Sequence, residues 1–76
     1  MIGSAIKYMR IKKGLTQDSL GKICNIGRST LSDYEREKTD INFETLERIA
    51  KECGYKIYFE NESEKFQVTD LKRKDI

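Results

Sequence analysis

The sequence predicts a mainly α fold: four short helices followed by a C-terminal β-strand or short hairpin. Three observations carry that prediction. Apolar residues recur at helical spacing in four separate stretches up to Cys53. Residues that cap or stop helices stand at the breaks between those stretches: Gly14, Thr16, Asn25, Gly27, Asn42 and Gly54. From Tyr55 the period changes to the alternating, aromatic and β-branched pattern of a strand.

The chain has 76 residues, enough for one domain near the lower limit for a self-sufficient core. Only 37% of its residues are hydrophobic, so a dimer interface would supply useful extra burial. No apolar run approaches the roughly 20 residues that span a bilayer, and no signal-peptide h-region opens the chain. The expectation is a cytoplasmic protein without a membrane partner. There is no proline and no internal repeat.

The first helix is expected over residues 4–13, with Ser4 as N-cap and Gly14 as the residue that ends it. Ile2, Ala5, Ile6 and Met9 form its apolar stripe. Arg10 continues that stripe, and an Arg on a core face either pairs with a carboxylate, with Glu35 the evident candidate, or extends to water. Thr16 caps a second helix that ends near Cys24. Gln17 lies in its first turn, where a backbone phosphate could meet both its amide and the helix N-terminus.

Asn25 occupies the turn position that most needs a positive φ. Gly27 caps a third helix over residues 28–36. Leu20, Ile23, Cys24, Ile26, Leu31 and Tyr34 are the apolar positions of this helix pair, and Leu20, Cys24, Ile26 and Leu31 can be buried together. The third helix keeps a polar outer face of Arg28, Ser29, Ser32, Asp33 and Arg36. A short rigid helix with such a face fits a DNA major groove, although a plain solvated face would look the same.

Asn42 caps a fourth helix on which Phe43, Leu46, Ile49, Ala50 and Cys53 recur at helical spacing, and Gly54 stops it. Residues 55–60 read as a strand, 61–65 as a polar acidic loop, 66–69 as a second short strand, and 70–76 as a charged tail. Cys24 and Cys53 fall on apolar faces and no CxxC is present, so both are expected as buried free thiols, with no metal.

Net charge is +2, but it is unevenly spread. Residues 1–39 hold eight Lys/Arg against four Asp/Glu, and residues 40–76 hold seven against nine. The N-terminal half is the side to present to a polyanion. Catalysis finds no footing, because the chain lacks His, a Gly-rich phosphate loop and a metal-ligand cluster, and no cofactor is expected.

The stretch RIKKGLTQDSLGKICNIGRSTLSDYERE resembles the Xre/Cro-type helix-turn-helix family, the lambda-repressor-like domains. The pattern is carried by Arg10, Gly14, Leu15, Thr16, Gln17, Leu20, Ile26, Leu31, Tyr34 and Glu35, and FETLERIAKECG continues it through the fourth helix. The resemblance covers residues 3–54 without a gap. It implies a DNA-binding domain over 1–54, with Arg10 and Glu35 as a structural ion pair. It also implies that Arg28, Ser29, Ser32 and Asp33 face base edges. Gln17, Lys38, Thr39 and Asn42 would meet the DNA backbone, with Lys12, Lys13, Lys22 and Arg36 as further cationic footing.

Arg28 could grip guanine O6 and N7 bidentately. Asp33 could accept from a cytosine amine, orient Arg28, or repel wrong sites. Two departures from the family pattern are local: Asn25 stands where Gly is usual and Gly21 where Ala is usual, each worth ~0.5–1 kcal/mol by propensity.

The C-terminal GYKIYFEN resembles the HipB-type antitoxins, in which this strand pairs with its copy in a dimer. An exposed aromatic strand needs such a partner. Residues 55–69 are therefore expected to dimerise the chain through Tyr55, Ile57, Tyr58 and Phe59. The function implied is a homodimeric regulator, a repressor, on a palindromic site in double-stranded DNA. The alternative is an antitoxin that binds a toxin protein and represses its own operon, and a weaker third is a protein–protein module that has lost DNA binding.

Overall fold

The computed structural model describes residues 1–67 and Asp70. In chain order they form α1 (Ile2–Lys13), α2 (Gln17–Cys24), α3 (Arg28–Glu35), α4 (Phe43–Glu52), β1 (Phe59–Glu60) and β2 (Lys65–Phe66). The helices enclose one core. Ile6 and Met9 come from α1, Leu20 and Cys24 from α2, Leu31 from α3, and Ile49, Ala50 and Cys53 from the end of α4. Full burial of Ile6, Leu20, Leu31 and Ile49 contributes about 1.5–3 kcal/mol for each side chain. Leu15, Ile26, Tyr34, Ile41, Leu46 and Ile57 close the core from its edges.

The helix breaks follow the local chemistry. Gly14 ends α1 at φ 79°, and its N–H donates to the Ile11 carbonyl over 2.9 Å. Thr16 caps α2 reciprocally: its Oγ1 accepts from the Ser19 N–H at 3.0 Å, and Ser19 Oγ accepts from the Thr16 N–H at 2.9 Å. Asn25 takes φ 58° at the end of α2, and Gly54 takes φ 87° beyond α4. Asn42 Oδ1 accepts from the Thr45 N–H at 2.8 Å and caps α4.

Four sequence expectations need correction. α1 begins at Ile2 with Met1 as its N-cap, so Ser4 lies inside the helix. Gly3 makes the longer helix fit: a Cβ there would fall on the Glu35 carbonyl oxygen and 2.7 Å from that of Tyr34. The stripe of α1 is accordingly Gly3, Ile6 and Met9, while Ile2 and Ala5 are exposed. Ile23, which lies outside the set expected to be buried, faces water, half exposed. α3 stops at Glu35, with Arg36 as its C-cap rather than its last residue.

The fourth correction concerns the strands. Among the described residues, Phe59 and Glu60 of the expected 55–60 strand are laddered, antiparallel to β2, with Phe59 opposite Phe66 and Glu60 opposite Lys65. Among the described residues, 55–58 carry no ladder; Ile57 turns onto the core while Tyr55 and Tyr58 face solvent. The turn is set by Asn61, whose Oδ1 accepts from the N–H groups of Ser63 (2.8 Å) and Glu64 (2.9 Å). β2 therefore starts at Lys65, inside the expected loop. Val68 and Thr69 of the expected second strand, and residues 71–76 of the tail, lie outside the described residues.

Candidate nucleic-acid interface

The site is organised from beneath by a buried carboxylate. The Glu35 side chain is 3% exposed and accepts hydrogen bonds from two other elements. Arg10 of α1 donates twice, from Nε to Oε2 at 2.7 Å and from Nη2 to Oε1 at 3.0 Å. Gln17 of α2 donates from Nε2 to Oε1 at 3.1 Å. Arg10 Nη1 also donates to the Leu15 carbonyl at 2.9 Å, which ties the α1–α2 link to the same centre. The Glu35 hydrogen bond raises the Arg10 guanidinium above its ordinary pKa, against the lowering effect of burial. The arrangement settles the Arg10 alternatives in favour of pairing, and it fixes α1, α2 and α3 at one point.

Above that point Gln17, Arg28, Ser29 and Ser32 line one shallow depression of about 250 Å³. Arg28 and Ser29 are exposed and Ser32 is half-buried. They converge because α2 and α3 cross at a turn with almost no slack. A Cβ on Gly21 would lie 2.5 Å from the Ile26 carbonyl oxygen, and the Ile26 N–H donates to the Gly21 carbonyl at 2.7 Å. Gly21 is thus not a mild weakening of α2 but the space into which the turn fits. Guanidinium, amide and hydroxyls here supply donors and acceptors in one patch of base-edge size.

Asp33 lies just outside the depression and takes Arg36 as its partner, Arg36 Nη2 to Asp33 Oδ1 at 3.2 Å. It does not orient Arg28. Gln17 has one amide N–H committed to Glu35, which leaves its Oε1 and second N–H for a ligand.

The expected backbone contacts are spread more widely. Lys12 lies with Ser4, Lys7, Tyr8 and Ile11 on the outer side of α1, its Nζ 5.8 Å from the Tyr8 ring centroid. Lys13 lies toward the Cys53 end of α4, where its charge partly offsets the burial that pushes the Cys53 thiol up. Lys22 pairs with Asp18 at 3.3 Å. Thr39 lines a separate groove with Gly3, Tyr34 and Ile41. Lys38 is exposed, and Asn42 Oδ1 is occupied by the α4 cap. None of these joins the depression beside Arg28.

Cys24 and Cys53 are buried free thiols, both pushed up by burial. Of the aromatic segment, Tyr55, Tyr58 and Phe59 keep 38%, 45% and 44% exposure, while Ile57 packs against the core. Arg48 escaped sequence reading. Its Nη1 donates to the Cys24 carbonyl at 2.8 Å and so caps α2 from α4. No motif marks that role, because an Arg inside an amphipathic helix looks like any surface charge. No helix among the described residues is long and apolar enough to cross a membrane, and no group of His, Cys, Asp and Glu among them could hold a metal ion.

Known proteins share this geometry and sequence. A family model described as helix-turn-helix matches residues 6–59. The immunity repressor protein of Bacillus phage phi105 is 36% identical over 56 residues, 74% of this chain and 39% of that protein. The HTH-type transcriptional regulator ImmR of Bacillus subtilis (strain 168) is 32% identical over 78 aligned positions, 99% of this chain and 61% of that protein. The chain therefore spans less than two thirds of either relative. Among solved structures, the wild-type restriction-modification controller protein C.Esp1396I superposes with a TM-score of 0.66 at 31% identity, covering 71% of each chain. A point mutant of that controller gives the same score and covers 70% of its own chain.

Proposed function

Since the chain belongs to the Xre/Cro-type helix-turn-helix family, we propose that it is a sequence-specific transcriptional regulator that represses by binding double-stranded DNA. The observation that carries this reading is the depression shared by Gln17, Arg28, Ser29 and Ser32, set rigidly over buried Glu35. In it Arg28 reads a guanine edge, Ser29 and Ser32 accept or donate to neighbouring bases, and Gln17 meets the backbone where α2 begins. Asp33 faces the next base. Lys12, Lys13, Lys38, Thr39 and Asn42 give phosphate contacts around this centre, and their spread over α1, α4 and the α3–α4 loop would follow a curved backbone path.

Residues 1–54 act as the DNA-binding unit in this reading, and 55–69 as the dimerising segment. One reading helix spans too few base pairs to select a site, and the exposed Tyr55, Tyr58 and Phe59 favour a second copy as their cover. Two copies would address half-sites about one helical turn, ~34 Å, apart. The relatives' names point to repression; those proteins are an immunity repressor and a transcriptional regulator.

Selection of bound duplexes from a random library at two salt concentrations tests the proposal. A palindrome enriched at both, with affinity falling as salt rises, is the expected result. Enrichment of no sequence at either concentration would refute it. Sedimentation at micromolar concentration tests the dimer separately, and a monomer there removes it. A single toxin-like protein that co-purifies in place of the second copy would replace the homodimer with the antitoxin reading.

A further inference from the structure

Asp33 and Arg36 stand nearly one turn apart at the C-terminal end of α3, joined by the 3.2 Å contact between Arg36 Nη2 and Asp33 Oδ1. The Arg36 side chain is 58% exposed and that of Asp33 39%. Water screens such a pair, so its contribution to folding is slight. Its consequence lies at a polyanion. A helix in the major groove brings its exposed side chains against base edges and flanking phosphates together. There a free guanidinium is attracted everywhere, whereas a carboxylate is repelled by every phosphate and by acceptor edges such as guanine O6 and N7 or thymine O4. Only the amino hydrogens of cytosine N4 or adenine N6 favour it.

Resting on the DNA-binding reading above, we propose that Asp33 and Arg36 form a specificity latch, with Asp33 holding Arg36 off the phosphates until a base amino group replaces the guanidinium on the carboxylate. On unmatched DNA the pair stays closed and carries no net charge, so Arg36 adds nothing to binding. On a matched site Asp33 accepts from cytosine or adenine, and Arg36 turns to a phosphate and displaces one counterion. The repulsive carboxylate thereby suppresses binding to the wrong sequence more than to the right one. Of the other cations, Arg10 is engaged by buried Glu35 and Arg28 stands at the opposite end of the helix; Lys38, whose N–H donates to the Asp33 carbonyl at 2.9 Å, makes no ion pair with the Asp33 carboxylate among the described residues.

The test uses the whole chain with Asp33→Asn, which keeps shape and removes charge, and with Arg36→Gln added. Binding to a random-sequence duplex is read by anisotropy between about 50 and 200 mM salt, and base preference by library selection. Asp33→Asn should bind random duplex roughly threefold more tightly at the low-salt end, with a salt slope steeper by about 0.9, the signature of one added phosphate contact. Its selected sites should lose cytosine at one position in each half-site and shift to adenine, which an amide reads bidentately. Adding Arg36→Gln should remove the gain and the steeper slope but not the shifted base preference. Unchanged random binding in Asp33→Asn, a gain that survives loss of Arg36, or an unaltered base preference would each overturn the latch. If the natural chain fails to bind duplex even at low salt, the DNA-binding reading falls and the latch with it. If the natural chain binds and Asp33→Asn behaves identically, the latch alone falls.

Discussion

Glu35 and Phe59 occupy opposite environments on the two sides of Gly54. Glu35 is almost wholly buried, accepts hydrogen bonds from Arg10 and Gln17, and joins three helices at one carboxylate. Phe59 keeps 44% of its surface exposed and meets only two rings, Phe43 at 6.2 Å and Phe66 at 5.8 Å between centroids. The helical unit is over-determined: caps, a buried ion pair and backbone contacts too close for a methyl group all specify one arrangement. The C-terminal segment has a two-residue ladder and open aromatic faces, and isolated hairpins of this size are marginal in water. The contrast teaches that the surface of Gln17, Arg28, Ser29 and Ser32 is held rigidly from beneath, whereas the 55–60 segment leaves its aromatic faces open.

The sharpest way to break this contrast is to remove its centre. Glu35→Ala leaves a largely buried guanidinium without its carboxylate and frees Gln17. The expected loss is about 3–5 kcal/mol, read as a lowered urea midpoint and melting temperature. A variant that keeps its melting temperature would show that the helices are not held at this carboxylate.

The next effect is smaller and has an unusual sign. Helix propensity says Gly21→Ala should stabilise by about 1 kcal/mol. The Ile26 carbonyl 2.5 Å from the new Cβ predicts instead a net loss of about 1–3 kcal/mol by overpacking, measurable in the same denaturation. A gain in stability would mean that the turn has slack.

Alkaline pH probes the core without mutation. Burial raises the Cys24 and Cys53 thiols, so the folded chain holds protons that the unfolded chain releases. Their contribution is complete below about pH 8.5 and is lost as pH rises above it. Urea midpoints measured across that range should fall, and fall less in Cys24→Val.

On the other side of Gly54, Phe59→Ala should cost the monomer less than about 1 kcal/mol, since the ring is half exposed. It should nonetheless weaken self-association in sedimentation. A large loss of monomer stability would place Phe59 in the core and erase the distinction between the two regions.

Legibility in the sequence tracked this same divide. Thr16, Asn25, Asn42 and Gly54 announced the helix ends because capping and positive φ select few residue types. Arg10 and Glu35 could be paired in advance because the family pattern resolves what an Arg on an apolar stripe leaves open. Gly21 reads in sequence as a mild departure and Gly3 carries no signal at all, since what a glycine makes room for lies across the fold and not beside it in sequence. Ser4 reads as a cap, yet α1 starts before it, with Met1 at the N-cap position without a side-chain cap bond and Gly3 packed closely on α3. Of the strand expected over 55–60, Phe59–Glu60 is laddered among the described residues, because alternation announces an extended chain but not where its pairing begins. The depression beside Arg28 was half legible: Gln17, Arg28, Ser29 and Ser32 were each named, but the commitment of Gln17 to Glu35 and of Asp33 to Arg36 needed distances.

The central claim, that the exposed start of α3 reads bases, is tested most directly by comparing library selections for the natural chain and Arg28→Ala. The account predicts that the natural chain enriches a palindrome with a fixed guanine in each half-site. Arg28→Ala should lose that guanine alone, about 1–3 kcal/mol of discrimination, while random-duplex binding falls little. An unchanged site bound with unchanged affinity would contradict it.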